Sequence, residues 1–304
     1  MSSLSGVLPG AAGATRPESV TLHLPERPSH RQWWRSLLKH LVLLVLAIIF
    51  IFPLLWMLDT SLKPLPQTLT FPPTWIPHPI LFSNYPDALA SEPFGSYFFH
   101  TLVYGVSTVV GVVLSSSLVA YGFSRIRWRG RDRVFYVMVA TMLLPYIVTL
   151  IPLFILFKHL GWVGSYKPLI IPTFLGSSVY STFLLRQFFM TIPESLSEAA
   201  RLDGANELYI YSRIILPLSK PAVAVVALFQ FIYAWNDFLG PLIYINNGSL
   251  YPISLGLNAM LGTYETNWSW LMVGSAVATL PIIILFFLTQ KTFIQGITLT
   301  GVKG

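Results

Sequence analysis

The chain has 304 residues, of which 54% are hydrophobic and only 10% are charged, and its mean hydropathy is +0.65. A soluble domain carries about a quarter charged residues, so this composition indicates an integral membrane protein. The net charge of +7 is dispersed, without the basic stripe of a nucleic-acid-binding surface. The lack of cysteine excludes disulfides, thiolate metal sites and thiol nucleophiles.

The transmembrane segments can be counted from the uncharged stretches. Residues 1–36, rich in proline, glycine and serine, predict a disordered tail. About 20 apolar residues span a bilayer. Six stretches that lack Asp, Glu, Lys and Arg follow the tail: 41–58, 93–124, 134–157, 168–185, 221–236 and 266–290. The fifth is interrupted by Asp237 and continues apolar to Ile245. We therefore predict an all-α integral membrane protein with six transmembrane helices.

The basic residues predict the orientation. If the N-terminus is cytoplasmic, sixteen of the 19 lysines and arginines lie in cytoplasmic segments. Only Lys63, Lys158 and Lys167 then lie outside. The positive-inside rule therefore places both termini, and the loop after the fourth helix, on the cytoplasmic side.

The first external segment, residues 59–96, contains eight prolines. Proline disfavours a helix interior, so we expect an extended loop with aromatic anchors. Such a loop is either an aromatic belt at the membrane interface or a platform for an external partner, and the sequence leaves both open.

Small residues and prolines predict packing and bending within the spans. Ser107, Gly111 and Ser115 recur at four-residue spacing in the second helix and indicate close helix packing. Pro145 and Pro152 fall on one face of the third helix and should kink it.

The fifth helix holds the only acidic residue inside the predicted spans, Asp237. Gln230, Tyr233, Asp237, Gly240 and Tyr244 share one face of a continuous helix. An intramembrane carboxylate normally faces a water-filled cavity or a polar partner. Asp237 is thus either a structural residue or part of a translocation path. The residues proposed to line such a path are Gln230, Tyr233, Asn236, Asp237 and Tyr244.

A polar, helix-forming segment separates the fourth and fifth spans. Thr191 and Glu194 have the spacing of a capping box. An apolar stripe follows at helical spacing, formed by Ile192, Leu196, Ala199 and Ala200. Gly204 allows a turn that other residues resist, and Pro217 precedes the next apolar run. Considered alone, the segment could be an amphipathic helix on the lipid headgroups.

Catalytic motifs are missing. The sequence has no G-x4-G-K-[ST] phosphate loop, no H-E-x-x-H and no G-x-S-x-G. We therefore expect that the chain is not an enzyme and cannot hydrolyse ATP by itself.

The polar segment carries the most specific resemblance. Its pattern, Glu198-Ala199-Ala200, Gly204 and Ile214-Ile215-Leu216-Pro217, resembles the cytoplasmic EAA loop of ABC importer permeases. Further stretches resemble the second permease subunit of carbohydrate (maltose-type, CUT1) ABC importers: Asn84-Tyr85, Ala120 to Arg125, Met142 to Pro145, Phe231 to Phe238, Leu255-Gly256-Leu257, Gln290 to Gly296 and Gly301 to Gly304. The chain departs from that family at Thr300-Gly301, where glycine and alanine are usual.

The resemblance implies a type I, maltose-permease-like fold over residues 37–304, with an EAA coupling loop at 191–217. It implies a homologous second permease subunit, two ATPase subunits that use ATP and Mg, and an extracytoplasmic sugar-binding protein, in a prokaryotic cytoplasmic (inner) membrane. This chain itself would bind no cofactor or metal. The residues implied in ATPase coupling are Glu198, Ala199, Ala200, Asp203 and Gly204. Two alternatives remain: an ABC permease for another solute such as glycerol 3-phosphate, and a proton-coupled secondary transporter using Asp237.

Overall fold

A computed structural model describes residues 30–262 and 266–301 of the chain. Within these residues it is helical, without strands. The helices are α1 (His30–Ser61), α2 (Asn84–Ser91), α3 (Phe94–Ser124), α4 (Arg131–Ala140), α5 (Tyr146–His159), α6 (Lys167–Ile170), α7 (Val179–Thr191), α8 (Glu194–Leu202), α9 (Glu207–Tyr209), α10 (Leu216–Leu218), α11 (Lys220–Asn236), α12 (Leu239–Tyr244), α13 (Ile253–Ala259) and α14 (Trp268–Gly301). A π-helical turn, Ile210–Ile215, joins α9 to α10.

The chain divides into two units, residues 1–52 and 53–304. Within the first unit the structure describes the beginning of α1, where the apolar side chains from Leu37 to Phe52 are exposed. α1 begins at His30, within the stretch assigned to the tail. Residues 1–29 lie outside the described part, so the disordered tail stays a prediction.

Four helical segments are long and apolar enough to cross a membrane: Ser36–Ser61, Phe94–Ser124, Lys167–Thr191 and Trp268–Gln290. Two further candidates are bent pairs. Arg131–Leu143 and Tyr146–His159 meet at 98°, and Glu207–Leu218 and Lys220–Asn236 meet at 79°. The described residues therefore give six spans when each bent pair counts as one, in the positions that the sequence predicts.

The third predicted helix is broken rather than kinked. Leu144 is extended, with ψ 118°, and α5 begins after Pro145. A residue before proline is disfavoured in the helical region, which explains the break. Pro152 lies inside α5 without ending it.

The second helix packs closely against the chain at its small residues. A Cβ atom on Gly111 would lie 2.1 Å from Thr173 Oγ1. One turn on, Ser115 Oγ donates to Thr173 O at 2.7 Å. The close packing that the small residues predicted is confirmed, and its partner is the 3-10 turn Ile171–Leu175.

The external segment is not wholly extended, because α2 follows its proline-rich part. Asn84 Nδ2 donates to Ser61 O and Lys63 O, both at 2.9 Å, and so ties α2 to the end of α1. Lys63, although assigned to the outside, has a buried side chain that pairs with Asp59 at 2.6 Å. Trp75 contacts Trp56 edge to face, with ring centroids 5.3 Å apart.

The main hydrophobic core lies where α3, α7 and α11 meet the polar segment between the fourth and fifth spans. Its buried members include Val112, Leu185, Phe189, Ile210 and Val226. The polar segment is therefore part of the folded core on one side.

Candidate functional site

We call residues 192–218 the coupling segment. It consists of two short helical parts, α8 and the run from α9 to α10, separated by a turn at Gly204 with φ +83°. This left-handed conformation strongly favours glycine. Asn206 caps the second part, since its Oδ1 accepts from Tyr209 N at 2.8 Å.

The predicted capping box at Thr191 is wrong. α7 runs on to Thr191, whose hydroxyl donates to Phe188 O at 2.7 Å within that helix. Pro193 then forces Ile192 into an extended conformation, and α8 begins at Glu194 without a side-chain cap. The carboxylate of Glu194 is thereby free to accept from another part of the chain.

The predicted apolar stripe of α8 is also wrong in part. Ile192 and Ala200 are buried in the core, but Leu196 and Ala199 are exposed. Ser197 takes the buried position, with 0% exposure. The reason is that packing against the core decides which face of this short helix is buried. The buried face contains Ser197 as well as Ala200, so it is only partly apolar.

Arg125, just after α3, joins the coupling segment to two transmembrane helices. Its side chain is 2% exposed. Nη1 donates to Glu194 Oε2 at 3.0 Å, and Nη2 donates to Ile192 O at 2.6 Å and to Phe189 O. One buried guanidinium thus binds the end of α7 and the start of α8 together.

A second ion pair closes the turn around Gly204. Arg201 Nε donates to Glu207 Oε1 at 2.9 Å, and Tyr121 of α3 donates its hydroxyl to Glu207 Oε2. The hydrogen bond with Glu207 raises the pKa of Arg201 above its ordinary value. Both helical parts of the coupling segment are therefore anchored to α3.

Glu198 differs from these two glutamates. It is exposed, and it makes no hydrogen bond or ion pair with any residue that the structure describes. It borders an open cavity of about 310 Å³, whose other lining residues are Arg125, Ile126, Arg127, Glu194, Arg201 and Glu207. Among the other predicted coupling residues, Ala199, Asp203 and Gly204 are exposed and Ala200 is buried.

Asp237 lies at a break, which corrects the prediction of one continuous helix face. α11 ends at Asn236, Asp237 is extended with ψ 115°, and α12 begins at Leu239. Pro241 explains the break, because its ring would clash in a continuous helix with the carbonyl four residues earlier, that of Asp237. Ser254 Oγ donates to this carbonyl at 2.7 Å. Pro241 was the sequence signal for this break.

Both carboxylate oxygens of Asp237 have a donor. Tyr104 of α3 donates to Oδ2 at 2.8 Å, and Gly240 N donates to Oδ1 at 3.1 Å. A Cβ atom on Gly240 would lie 2.5 Å from Oδ2, so the close approach requires glycine here. Tyr104 belongs to no motif, so the sequence alone did not indicate it as a partner of Asp237.

The break divides the predicted path-lining residues. Tyr233 is 62% exposed, Asn236 is exposed and Gln230 is half-buried. Tyr244, beyond the break, is 2% exposed and packs against Phe157 of α5, with ring centroids 5.6 Å apart. Tyr233, Asn236 and Asp237 therefore stay near one another, and Tyr146 of α5 links Tyr244 to this group, since Tyr146 interacts with Tyr244, Tyr233 and Asp237.

Comparisons with known proteins agree with this architecture. Residues 111–299 match the family model described as a binding-protein-dependent transport system inner membrane component. The chain is 35% identical to the arabinooligosaccharides transport system permease protein AraQ of Bacillus subtilis (strain 168), over 87% of this chain and 94% of that protein. It is 31% identical to the sn-glycerol-3-phosphate transport system permease protein UgpE of Yersinia enterocolitica, over 85% and 94% of the two chains.

A solved structure shares the fold. It is the crystal structure of a bacterial ABC transporter involved in the import of the acidic polysaccharide alginate, with a TM-score of 0.77 and 24% identity. The match covers 86% of this chain and 98% of the other. Together with the helical spans and the EAA-type segment, these matches show that the chain belongs to the binding-protein-dependent transport system inner membrane components, the multi-pass permease subunits of ABC importers.

Proposed function

We propose that this permease conducts a sugar into the cytoplasm and that partner ATPase subunits supply the energy. The names of its relatives support a carbohydrate, because AraQ is named for arabinooligosaccharides. UgpE is named for glycerol 3-phosphate, which keeps that solute as the alternative. Tyr233 and Asn236 supply exposed hydrogen-bonding groups beside the negative charge of Asp237, which suits neutral hydroxyl groups better than a phosphate.

Gln230, Tyr233, Asn236, Asp237 and Tyr244 are our candidates for the lining of the path. The exposure of Tyr233 and Asn236 supports a direct role for these two. The internal hydrogen bonds of Asp237 and the burial of Tyr244 support a role in shaping the broken helix. Unwound backbone at membrane depth is tolerated where it lines a cavity or is buried in protein.

The coupling segment is our candidate contact with an ATPase subunit. The single observation that carries this proposal is the exposed, unpaired Glu198 carboxylate on a segment otherwise anchored to α3. Glu198 would pair with a basic residue of the ATPase, while Ala199, Asp203 and Gly204 form the surrounding surface and Ala200 packs inward. Closure of the ATPases would then move the permease as a rigid body.

We infer the remaining partners from the family to which the chain belongs. We propose a homologous second permease subunit, two ATPase subunits that bind ATP and Mg, and an external binding protein that delivers the sugar. This chain would bind no cofactor or metal of its own. The transmembrane domain would comprise residues 37–304, with the tail 1–36 and both termini in the cytoplasm of a prokaryote.

The substrate can be tested with the reconstituted transporter and its binding protein. We expect neutral oligosaccharides to stimulate ATP hydrolysis and vanadate to block uptake. If glycerol 3-phosphate stimulates ATP hydrolysis and oligosaccharides do not, the substrate is glycerol 3-phosphate and not a sugar. Loss of uptake with a proton uncoupler at constant ATP would support the secondary transporter that uses Asp237.

The orientation can be tested with single cysteines, because the native chain has none. Ser249 and Ser195 are both exposed, whereas the neighbouring Ser197 is too buried to report on orientation. We expect S249C, but not S195C, to react with a membrane-impermeant thiol reagent from outside the membrane. Equal labelling of both would contradict the proposed topology.

A further inference from the structure

The loop after α3 and the first turn of α4, together residues 125–133 and called the loop below, contain five arginines and one aspartate. Arg125 is paired with Glu194, and Arg131 is paired with Asp132 at 3.2 Å. The other three arginines, at positions 127, 129 and 133, are exposed and have no hydrogen bond or ion pair within the described part of the chain. Three positive charges therefore stand close together, and none of them forms an ion pair within the described residues.

The loop has a defined conformation. Trp128 Nε1 donates to Gly122 O at 3.2 Å, and the Trp128 ring contacts Phe123 with centroids 5.7 Å apart. Gly130 turns the chain with φ +87°. The loop borders an open cavity of about 730 Å³, which residues 127 to 133 line. The unpaired guanidinium groups are thus gathered around one space by the fold.

The surfaces on both sides of the loop are apolar and exposed. Before it, Leu118 of α3 is 52% exposed; after it, Tyr136 and Val137 of α4 are 70% and 67% exposed. Both helices belong to candidate spans. Trp128, itself 42% exposed, is a residue type enriched at membrane interfaces. The cavity therefore lies where the lipid-facing surface of the spans ends.

We propose that this loop is a binding site for the headgroup of an anionic phospholipid. Guanidinium groups bind phosphate oxygens in a bidentate manner, and basic clusters beside a span attract anionic lipid. The contact of Arg125 with Glu194 places the loop at the same end of the bundle as the coupling segment. The lipid leaflet concerned is the one that faces the ATPase subunits.

The site is connected to the coupling segment through Asp132. Its Oδ1 accepts from Arg131 and from Arg186 of α7, both at 3.2 Å. The Arg186 guanidinium also lies over the Phe135 ring, 4.0 Å from its centroid. A bound headgroup neutralises the repulsion among the free arginines and so stabilises the loop against α7, from which the coupling segment continues.

The test measures phosphatidylglycerol binding to the assembled transporter in phosphatidylcholine nanodiscs. The variant is R127Q/R129Q, which removes two unpaired charges. The matched control is K158Q/K167Q, which removes two exposed charges from positions outside the loop. We expect affinity for phosphatidylglycerol to fall on the order of tenfold in R127Q/R129Q and to stay unchanged in the control. R127K/R129K should lose less affinity for phosphatidylglycerol, because lysine keeps the positive charge although it cannot bind phosphate in a bidentate manner.

Several results would overturn the proposal. The proposal is wrong if R127Q/R129Q binds phosphatidylglycerol as tightly as the wild type. It is also wrong if R127Q/R129Q and the control K158Q/K167Q lose the same affinity. Displacement of the lipid by inorganic phosphate would show a site for soluble anions instead. Loss of ATPase assembly in R127Q/R129Q with normal lipid binding would assign the arginines to a protein partner. If R127Q/R129Q does not assemble, a wild-type transporter that fails to prefer phosphatidylglycerol over phosphatidylcholine would also overturn it.

Discussion

The coupling segment leaves the Glu198 carboxylate exposed and unpaired within the described chain, whereas the break after α11 gives both Asp237 carboxylate oxygens a donor. Around Glu198, the neighbouring carboxylates of Glu194 and Glu207 are occupied by arginines that hold the segment in place. The difference teaches that the coupling segment presents charges without a partner among the described residues, those of Glu198, Asp203 and Arg213, which suits contact with a partner molecule. At Asp237 each carboxylate oxygen has a donor within the chain, which suits a structural element of the membrane domain.

Charge reversal at Glu198 should have the largest effect. E198K places a repelling charge at the proposed docking contact, and we expect sugar-stimulated ATP hydrolysis to fall roughly 30-fold or more. The control is D87K, which reverses an exposed charge in α2, away from the coupling segment. If E198K inserts normally into the membrane and its ATP hydrolysis is stimulated by sugar as in the wild type, Glu198 does not contact the ATPase. The contrast between Glu198 and Asp237 would then no longer hold.

Truncation of Arg125 should be the most damaging change to stability. R125A leaves the carbonyls of Phe189 and Ile192 without their buried donor, and each buried acceptor left unpaired costs about 1–3 kcal/mol. Glu194 contributes less, because its side chain is 37% exposed and keeps Arg201 at 3.7 Å. The free energy of unfolding in detergent micelles measures the effect. R213A, at an exposed arginine of the coupling segment, should change it by less than about 0.5 kcal/mol. Similar values for the two variants would show that Arg125 does not anchor the segment.

Substitution of Asp237 separates a structural carboxylate from one that carries a proton. D237L leaves the donors from Tyr104 and Gly240 unpaired, at a cost of about 1–3 kcal/mol. D237N keeps an acceptor of the same shape and should retain appreciable uptake at fixed ATP. If D237N were expressed normally but were as inactive as D237L, the carboxylate would have to titrate, and our interpretation of this site would be wrong.

The smallest effect is expected from removal of a single hydroxyl. Y104F deletes the donor to Asp237 Oδ2 and should lower the free energy of unfolding by about 0.5–1.5 kcal/mol. Y136F removes a hydroxyl from an exposed tyrosine of α4 and should change it little. An equal response of the two variants would argue against the Tyr104–Asp237 hydrogen bond.

Much of the fold could be predicted because the bilayer limits what the sequence can form. The hydrophobic thickness requires about 20 apolar residues per span, so the number and positions of the spans follow from where charges are missing. The turn at Gly204 could also be anticipated, because its left-handed backbone strongly favours one residue type. The orientation and the disordered tail were predicted in the same way and stay predictions.

The sequence by itself thus determined which segments are apolar and where the coupling segment lies, since both depend on local composition. Whether a proline bends or breaks its helix depends on distant groups that satisfy the freed carbonyl, as Ser254 does for Asp237. Which carboxylate is left for a partner likewise depends on Arg125, 69 residues before Glu194 in the chain. Only the tertiary structure decided these points, because hydrogen bonds and ion pairs select partners by proximity in space, which local sequence patterns do not encode.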